Sequence, residues 1–280
     1  MANPTPPTPP PPPAAIDRSP ERLIAPVRPN DSLSFDELLS SYNFANISDR
    51  RSVLTRAIIE ECGKRDGTAR VLDIGCGRGM GRNSDYVRAV KPHAAEMWGI
   101  EPAEDVTPPE GIFDQFQHAL METAQLPENH FDIAYSFMVM EHVADPVAYM
   151  KALSRVLKPG GVYFFVTPNG GHYFTLIASA MKKIKLDEVV LRLVQGKSLV
   201  DDYHYPVQYK FNKLKQIRRV CDEAGDLGID LVYMESEGPR SYMKGPLILL
   251  FHLLQLKRRM IRSRRALLSI VGRITKRPAP

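Results

Sequence analysis

Apolar residues along this chain change their spacing several times, and each change marks an element. Val53, Leu54, Ala57 and Ile58, within Arg51 to Cys62, recur at helical spacing and stop near Gly63 and Gly67. Ser32 to Leu39 reads the same way, so two entry helices are predicted. Val71 to Ile74 is a short apolar run that leads into glycines, and Glu96 to Ile100 is a second that leads into an acid. Phe131 to Phe137 and Val162 to Thr167 are rich in aromatic and β-branched residues and give two more buried strands. Between them, Ala148 to Leu157 reads as an amphipathic helix closed by Lys158, Pro159 and Gly160. Leu214 to Ala224, stopped at Gly225, is a further helix, and Ile229 to Glu235 a further strand. Continuously apolar strands that alternate with helices predict an α/β fold: a doubly wound, mainly parallel sheet with helices on both faces.

The two ends of the chain follow other patterns. Eleven of the 24 prolines fall in the first 29 residues, including the run Pro9 to Pro13. Residues 1–30 are therefore expected to form a disordered or polyproline arm, either a plain spacer or a ligand for an aromatic groove. The folded domain is expected over 31–244, with a mostly helical insertion at about 170–206, where lids of open α/β sheets sit. Beyond Pro246, Leu247, Leu250, Phe251 and Leu254, then Ile261, Leu268 and Val271, recur among lysines and arginines. This pattern predicts a basic amphipathic helical segment over 245–280.

Composition refines the picture. The 280 residues are 44% hydrophobic and 25% charged, which excludes disorder throughout. The net charge of +5 hides an asymmetry, because ten basic and no acidic residues occur from Lys244 onward. The body is thus mildly acidic, and any contact with an anionic membrane surface falls to the tail. The alternative is a tail helix that packs on the sheet edge with its arginines in water. Cys62, Cys76 and Cys221 are too few and too scattered for a disulfide framework or a paired zinc site, so a cytoplasmic, reducing location is expected, peripheral to a membrane if the tail binds one. The longest apolar stretch, Leu247 to Leu254, is too short to span a bilayer.

Candidate chemistry begins in VLDIGCGRG, where Asp73 ends a strand and Gly75, Gly77 and Gly79 follow at alternate positions. Such glycines let the backbone turn sharply and approach a ligand closely. The dinucleotide pattern GxGxxG fails, since Met80 or Arg82 stands where the third glycine belongs. No lysine follows in the manner of a triphosphate loop. An NAD(P)-dependent oxidoreductase and a non-catalytic scaffold remain as alternatives to the reading below.

Four later segments continue in order: GIEP at Gly99 to Pro102, ETAQLP at Glu122 to Pro127, FDIAYSFMVMEHVADP at Phe131 to Pro146, and LSRVLKPGG at Leu153 to Gly161. With the glycine loop, they resemble the class I S-adenosylmethionine-dependent methyltransferases over about residues 50–170. The ubiquinone-type O-methyltransferases are the most similar group and share TPN at Thr167 to Asn169. The resemblance implies a Rossmann-like sheet, with Asp73, Gly75, Gly77 and Gly79 at the amino-acid end of S-adenosylmethionine and Glu101 on its ribose hydroxyls. It implies that Glu122 and Thr123, where relatives more often have Asp and Ala, read the adenine edge, and that Phe137 and Met138 lie near the sulfonium or simply fill the core. His142 is either a general base or part of the cavity wall. His204, in the cluster Asp202, Tyr203, His204, Tyr205 and Tyr209, is a second candidate base or part of a capping loop.

Ubiquinone O-methyltransferases resemble this segment and add a Glu where this chain has Met138, so no metal site is expected. The signature of enzymes that methylate nucleic-acid bases is missing at Ser136 to Val139, which disfavours a nucleic-acid partner. The implied activity is methyl transfer to an oxygen of a small-molecule, glycan or lipid-like acceptor.

Overall fold

The computed structural model describes residues 34–40, 49–172, 175, 206–225, 227–234, 249, 252, 253, 256 and 267–278. The proline arm, nearly all of the expected lid and the basic run 257–265 lie outside the described residues.

The described elements are α1 (Phe35–Ser40), α2 (Arg50–Gly63), β1 (Arg70–Ile74), α3 (Ser84–Val90), β2 (Glu96–Ile100), β3 (Gln115–Gln117), β4 (Phe131–Phe137), α4 (Pro146–Val156), β5 (Leu157–Pro168), α5 (Leu214–Ala224), β6 (Leu227–Met234) and β7 (Ser269–Lys276). Helix starts are set by short polar side chains that accept free backbone N–H groups. Asp49 accepts from Arg51 at 3.1 Å, Asn83 from Asp85 at 2.8 Å, and Asp145 from Ala148 at 3.0 Å.

Across the sheet the order is β3-β2-β1-β4-β5-β7-β6. The first five strands are parallel, and β7 runs antiparallel to both β5 and β6. The chain winds outward through β2 and β3 on one side of β1, then returns to β4 on the other. The loops after β1 and β4 therefore separate at the carboxyl edge and open a crevice between them.

Period-two alternation fills both faces. Leu72, Ile74, Ala134, Tyr163, Phe165, Ile270 and Ile274 pack with Met150 and Leu153 of α4 and Ile217 and Val220 of α5. Val71, Ile133, Tyr135, Phe164, Val166 and Val271 point the other way, onto Leu38 of α1, Leu54 and Ile58 of α2, and Val87 of α3. The expected doubly wound sheet is present.

The expected helical tail is corrected at its end. Leu249, His252, Leu253 and Leu256 are helical, but Ser269–Lys276 is a strand inserted between β5 and β6. Ile270, Val271 and Ile274 serve opposite faces of the sheet, and β-branched residues suit that pleated, buried position. Two of the basic residues assigned to the tail are used inside the fold. Arg273 bonds Asp230 at 2.9 Å and Asp36 at 2.9 Å, and Lys276 donates to the carbonyls of Ser154 and Leu157 at 2.8 Å. The folded domain therefore does not end near residue 244.

Gly272 pairs with Phe165 across β5 and β7, and a Cβ there would fall 2.1 Å from the Phe165 ring. Gly272→Val is expected to lower stability by about 1–3 kcal/mol through overpacking, read from the denaturant midpoint. Adding Phe165→Leu should recover part of the loss, because the two sites share one volume.

Candidate active site

At the carboxyl end of β1 the backbone turns through Gly75, Gly77 and Gly79, all with positive φ, the last at 99°. A Cβ on Gly75 would meet the Val139 side chain at 2.5 Å, and one on Gly79 would meet the Asn83 carbonyl at 2.7 Å. Gly75 and Cys76 both donate backbone N–H groups to the Ile100 carbonyl, which ties this loop to the end of β2.

Glu101 follows β2 and is buried. Its Oε2 accepts the Gly77 N–H at 3.0 Å and its Oε1 the Ala103 N–H at 3.1 Å. The carboxylate is thus held in one orientation, and each oxygen keeps acceptor capacity for a further donor.

Asp73 takes a different position from the one expected. It lies behind the glycine loop, does not line the cavity, and accepts the Tyr135 hydroxyl at 2.6 Å. Burial pushes its carboxyl up to about 8; the Tyr135 hydrogen bond opposes this and the Glu101 charge adds to it.

A cavity of about 680 Å³ opens over these loops. Gly75, Gly77, Gly79, Glu101, Glu122, Phe137, Met138 and His142 all line it. Glu122 is half-buried, and desolvation raises its carboxyl. Thr123 is exposed and outside the lining; its hydroxyl donates to the Leu120 carbonyl at 3.3 Å, while Leu120 and Met121 reach the cavity instead. His142 is half-buried at the wall. His204, with Asp202, Tyr203 and Tyr205, lies outside the described residues; Tyr209 donates its N–H to the Glu141 carbonyl at 3.1 Å. Glu141 itself is buried and accepts the Thr167 hydroxyl at 3.1 Å, and desolvation pushes its carboxyl up to about 7.

The structure adds lining residues that sequence reasoning missed. Gly81 continues the alternate glycines and was legible as such; with φ 58° it leaves room for Phe137, whose Cε1 would lie 3.2 Å from a Cβ there. Arg50, the first residue of α2, carried no sequence signal. Its Nη1 donates to Ser269 Oγ at 3.1 Å and lies 3.7 Å from Met138 Sδ, and its guanidinium sits 5.8 Å from the centre of the Phe137 ring. No three His, Cys, Asp or Glu side chains converge on a metal-sized site among the described residues.

A glycine turn at the switch point, with a fixed carboxylate ending the neighbouring strand, suits a nucleoside whose ribose presents two hydroxyls. With this strand order, it defines the class I S-adenosylmethionine-dependent methyltransferases. A family profile described as a methyltransferase domain matches residues 47–233, and the chain belongs to that family. It is 32% identical over 133 residues to a ubiquinone biosynthesis O-methyltransferase of Ruegeria pomeroyi, covering 43% of this chain and 52% of that protein. A protein of the same name from Caulobacter vibrioides is 36% identical over 144 residues, covering 46% and 54%. The chain thus spans about half the length of these curated relatives. A crystal structure of a SAM-dependent methyltransferase from Archaeoglobus fulgidus shares the fold at 17% identity and a TM-score of 0.50, covering 81% of this chain and 94% of that one.

Because the folded state raises Asp73 from an ordinary 3.8 to about 8, it holds a proton there that the unfolded chain releases. Stability of the cofactor-free protein should fall as pH rises from about 4 to 8 and level off above that. Asp73→Asn should flatten this decline in thermal unfolding scans, leaving the part due to Glu141, which ends near pH 7.

Proposed function

We propose that this protein transfers the methyl group of S-adenosylmethionine to an oxygen of a small-molecule, glycan or lipid-like acceptor. The observation that carries the reading is one cavity that joins the Glu101 carboxylate to the wall formed by Phe137, Met138 and His142. Donor and acceptor can therefore be held together within a single enclosure. The names of the O-methyltransferase relatives support oxygen as the target atom.

The residues fit the cofactor. Both Glu101 oxygens are pre-set by backbone N–H groups, so they accept from vicinal hydroxyls without reorganising. Arg50 offers a fixed guanidinium to a carboxylate in the same cavity, and the positive-φ glycines let backbone N–H groups approach closely. Glu122, with Leu120 and Met121, lines the part suited to the base. S-adenosylmethionine, when bound, would supply an electrophilic methyl on a sulfonium, whose carbon–sulfur bond would break as the acceptor oxygen is methylated, leaving S-adenosylhomocysteine.

The chain's own work is then to align the acceptor, exclude water and receive at most one proton. His142 is the residue proposed to take that proton, since it lines the cavity beside Phe137 and Met138 and imidazole is the side chain most often used for such a transfer.

Methyl-labelled S-adenosylmethionine incubated with the protein and fractionated cell extract should yield a labelled, alkali-stable ether product. Label released only from the no-enzyme control, with no S-adenosylhomocysteine formed, would sink the reading. Glu101→Ala should weaken S-adenosylhomocysteine binding about ten- to hundred-fold by calorimetry, the worth of a charge-assisted hydrogen bond. His142→Ala should leave that affinity intact and slow turnover by about a hundred-fold; a loss within about tenfold would assign His142 to the wall.

A further inference from the structure

Two arginines stand side by side at the start of α2, and the structure gives them different partners. Arg50 lines the cavity, where its Nη1 reaches Ser269 Oγ at 3.1 Å. Arg51 does not line it. Its Nε donates to Asp49 Oδ1 at 3.1 Å and its Nη2 to Asp49 Oδ2 at 3.2 Å, and its guanidinium lies 4.9 Å from the centre of the Tyr86 ring.

These contacts meet at Asp49. It caps α2 by accepting the Arg51 N–H at 3.1 Å, and its Oδ2 also accepts the Tyr86 hydroxyl at 2.6 Å. Tyr86 belongs to α3, which starts at Ser84 directly after the glycine turn. One carboxylate therefore ties the first turn of α2 to the helix that follows the cofactor loop. Arg51 Cδ would lie 3.5 Å from a Cβ on Gly81, so the clamp also rests against that loop.

A guanidinium held by both oxygens of a carboxylate and set over a phenol ring is fixed in direction. Asp49 thus matches the charge of Arg51, whereas Ser269 Oγ and Met138 Sδ meet Arg50 through neutral atoms. Successive side chains on a helix diverge by about 100°, so fixing Arg51 on α3 also fixes the direction in which Arg50 leaves α2.

We propose that Asp49 and Tyr86 are positioning residues: they hold Arg51 on α3 and thereby aim Arg50 at the carboxylate of the bound cofactor. The inference rests on the methyl-transfer reading and adds to it a selection for the cofactor's amino-acid end, made by two residues that do not line the cavity.

Two ligands separate aiming from general support. S-adenosylhomocysteine carries the amino-acid end, and 5′-methylthioadenosine keeps the nucleoside and thioether without it. Tyr86→Phe removes the hydroxyl and keeps the ring beside Arg51; Asp49→Asn keeps a capping side chain and removes the charge. In calorimetry on the full chain, each should weaken S-adenosylhomocysteine about three- to tenfold and leave 5′-methylthioadenosine within about twofold. Combined with Arg50→Ala, Tyr86→Phe should add no further loss, because both act on one contact. A pocket merely loosened would weaken both ligands alike, and that result would overturn the proposal. Unchanged affinity for both ligands, or a loss that adds to that of Arg50→Ala, would overturn it as well. Wild-type protein that binds neither ligand would overturn the cofactor reading and the proposal with it, whereas variants that match a wild type binding both would overturn the positioning role alone.

Discussion

A sheet buried on both faces confines polar chemistry to the ends of its strands. Every described side chain along β1, β4 and β5 that faces a helix layer is apolar or hydrogen-bonded, so the carboxyl edge is where water and ligand can meet the backbone. Three acids gather there: Asp73 at β1, Glu101 after β2 and Glu141 after β4. Each is buried and each is held by a donor, but the donors differ. Two backbone N–H groups fix Glu101, a phenol holds Asp73 and a threonine hydroxyl holds Glu141. Burial raises the two acids that neutral hydroxyls serve, because a single neutral donor offsets little of the cost of removing a charge from water.

The last strand completes this edge from the far end of the chain. Inserting β7 between β5 and β6 brings Ser269 to Arg50 and thereby to Met138 and Phe137. The same strand carries Arg273, which joins Asp36 of α1 to Asp230 of β6 and stacks over Phe35. One segment thus closes the sheet, clamps the entry helix and supports a residue of the cavity.

A reaction that proceeds by placing two reactants in line demands few obligatory side chains. The cofactor's ribose and amino-acid end need particular hydrogen-bond partners at particular strand ends, whereas the acceptor needs a wall of suitable shape. The described wall is built from Phe137, Met138, Val139, His142, Tyr149 and Gln208, residue types that many ligands would accept. On the proposed reading, chemistry that leaves so few marks accounts for a cofactor that is legible in the chain and an acceptor that is not.

The sequence by itself determined the α/β layering, the glycine turn and Glu101. Each rests on short-range pattern: continuous apolar runs for buried strands, alternate glycines for a backbone that must adopt positive φ, and an acid directly after a strand. Thr123 was misplaced because a motif states which residue follows which, not which side chain turns inward; the turn sends Glu122 to the cavity and Thr123 to solvent. The resemblance implied that Asp73 reaches the amino-acid end of the cofactor directly or through water, but its strand register sets it against Tyr135 and outside the cavity lining. Only the tertiary structure could place Arg50, whose partners lie 88 and 219 residues away. Strand β7 was hidden for a related reason. Its isoleucines and valine continue a helical spacing begun by the leucines before them, and an eight-residue run is too short for periodicity to separate helix from strand. Pairing with β5 and β6, a long-range hydrogen-bonding choice, decided it.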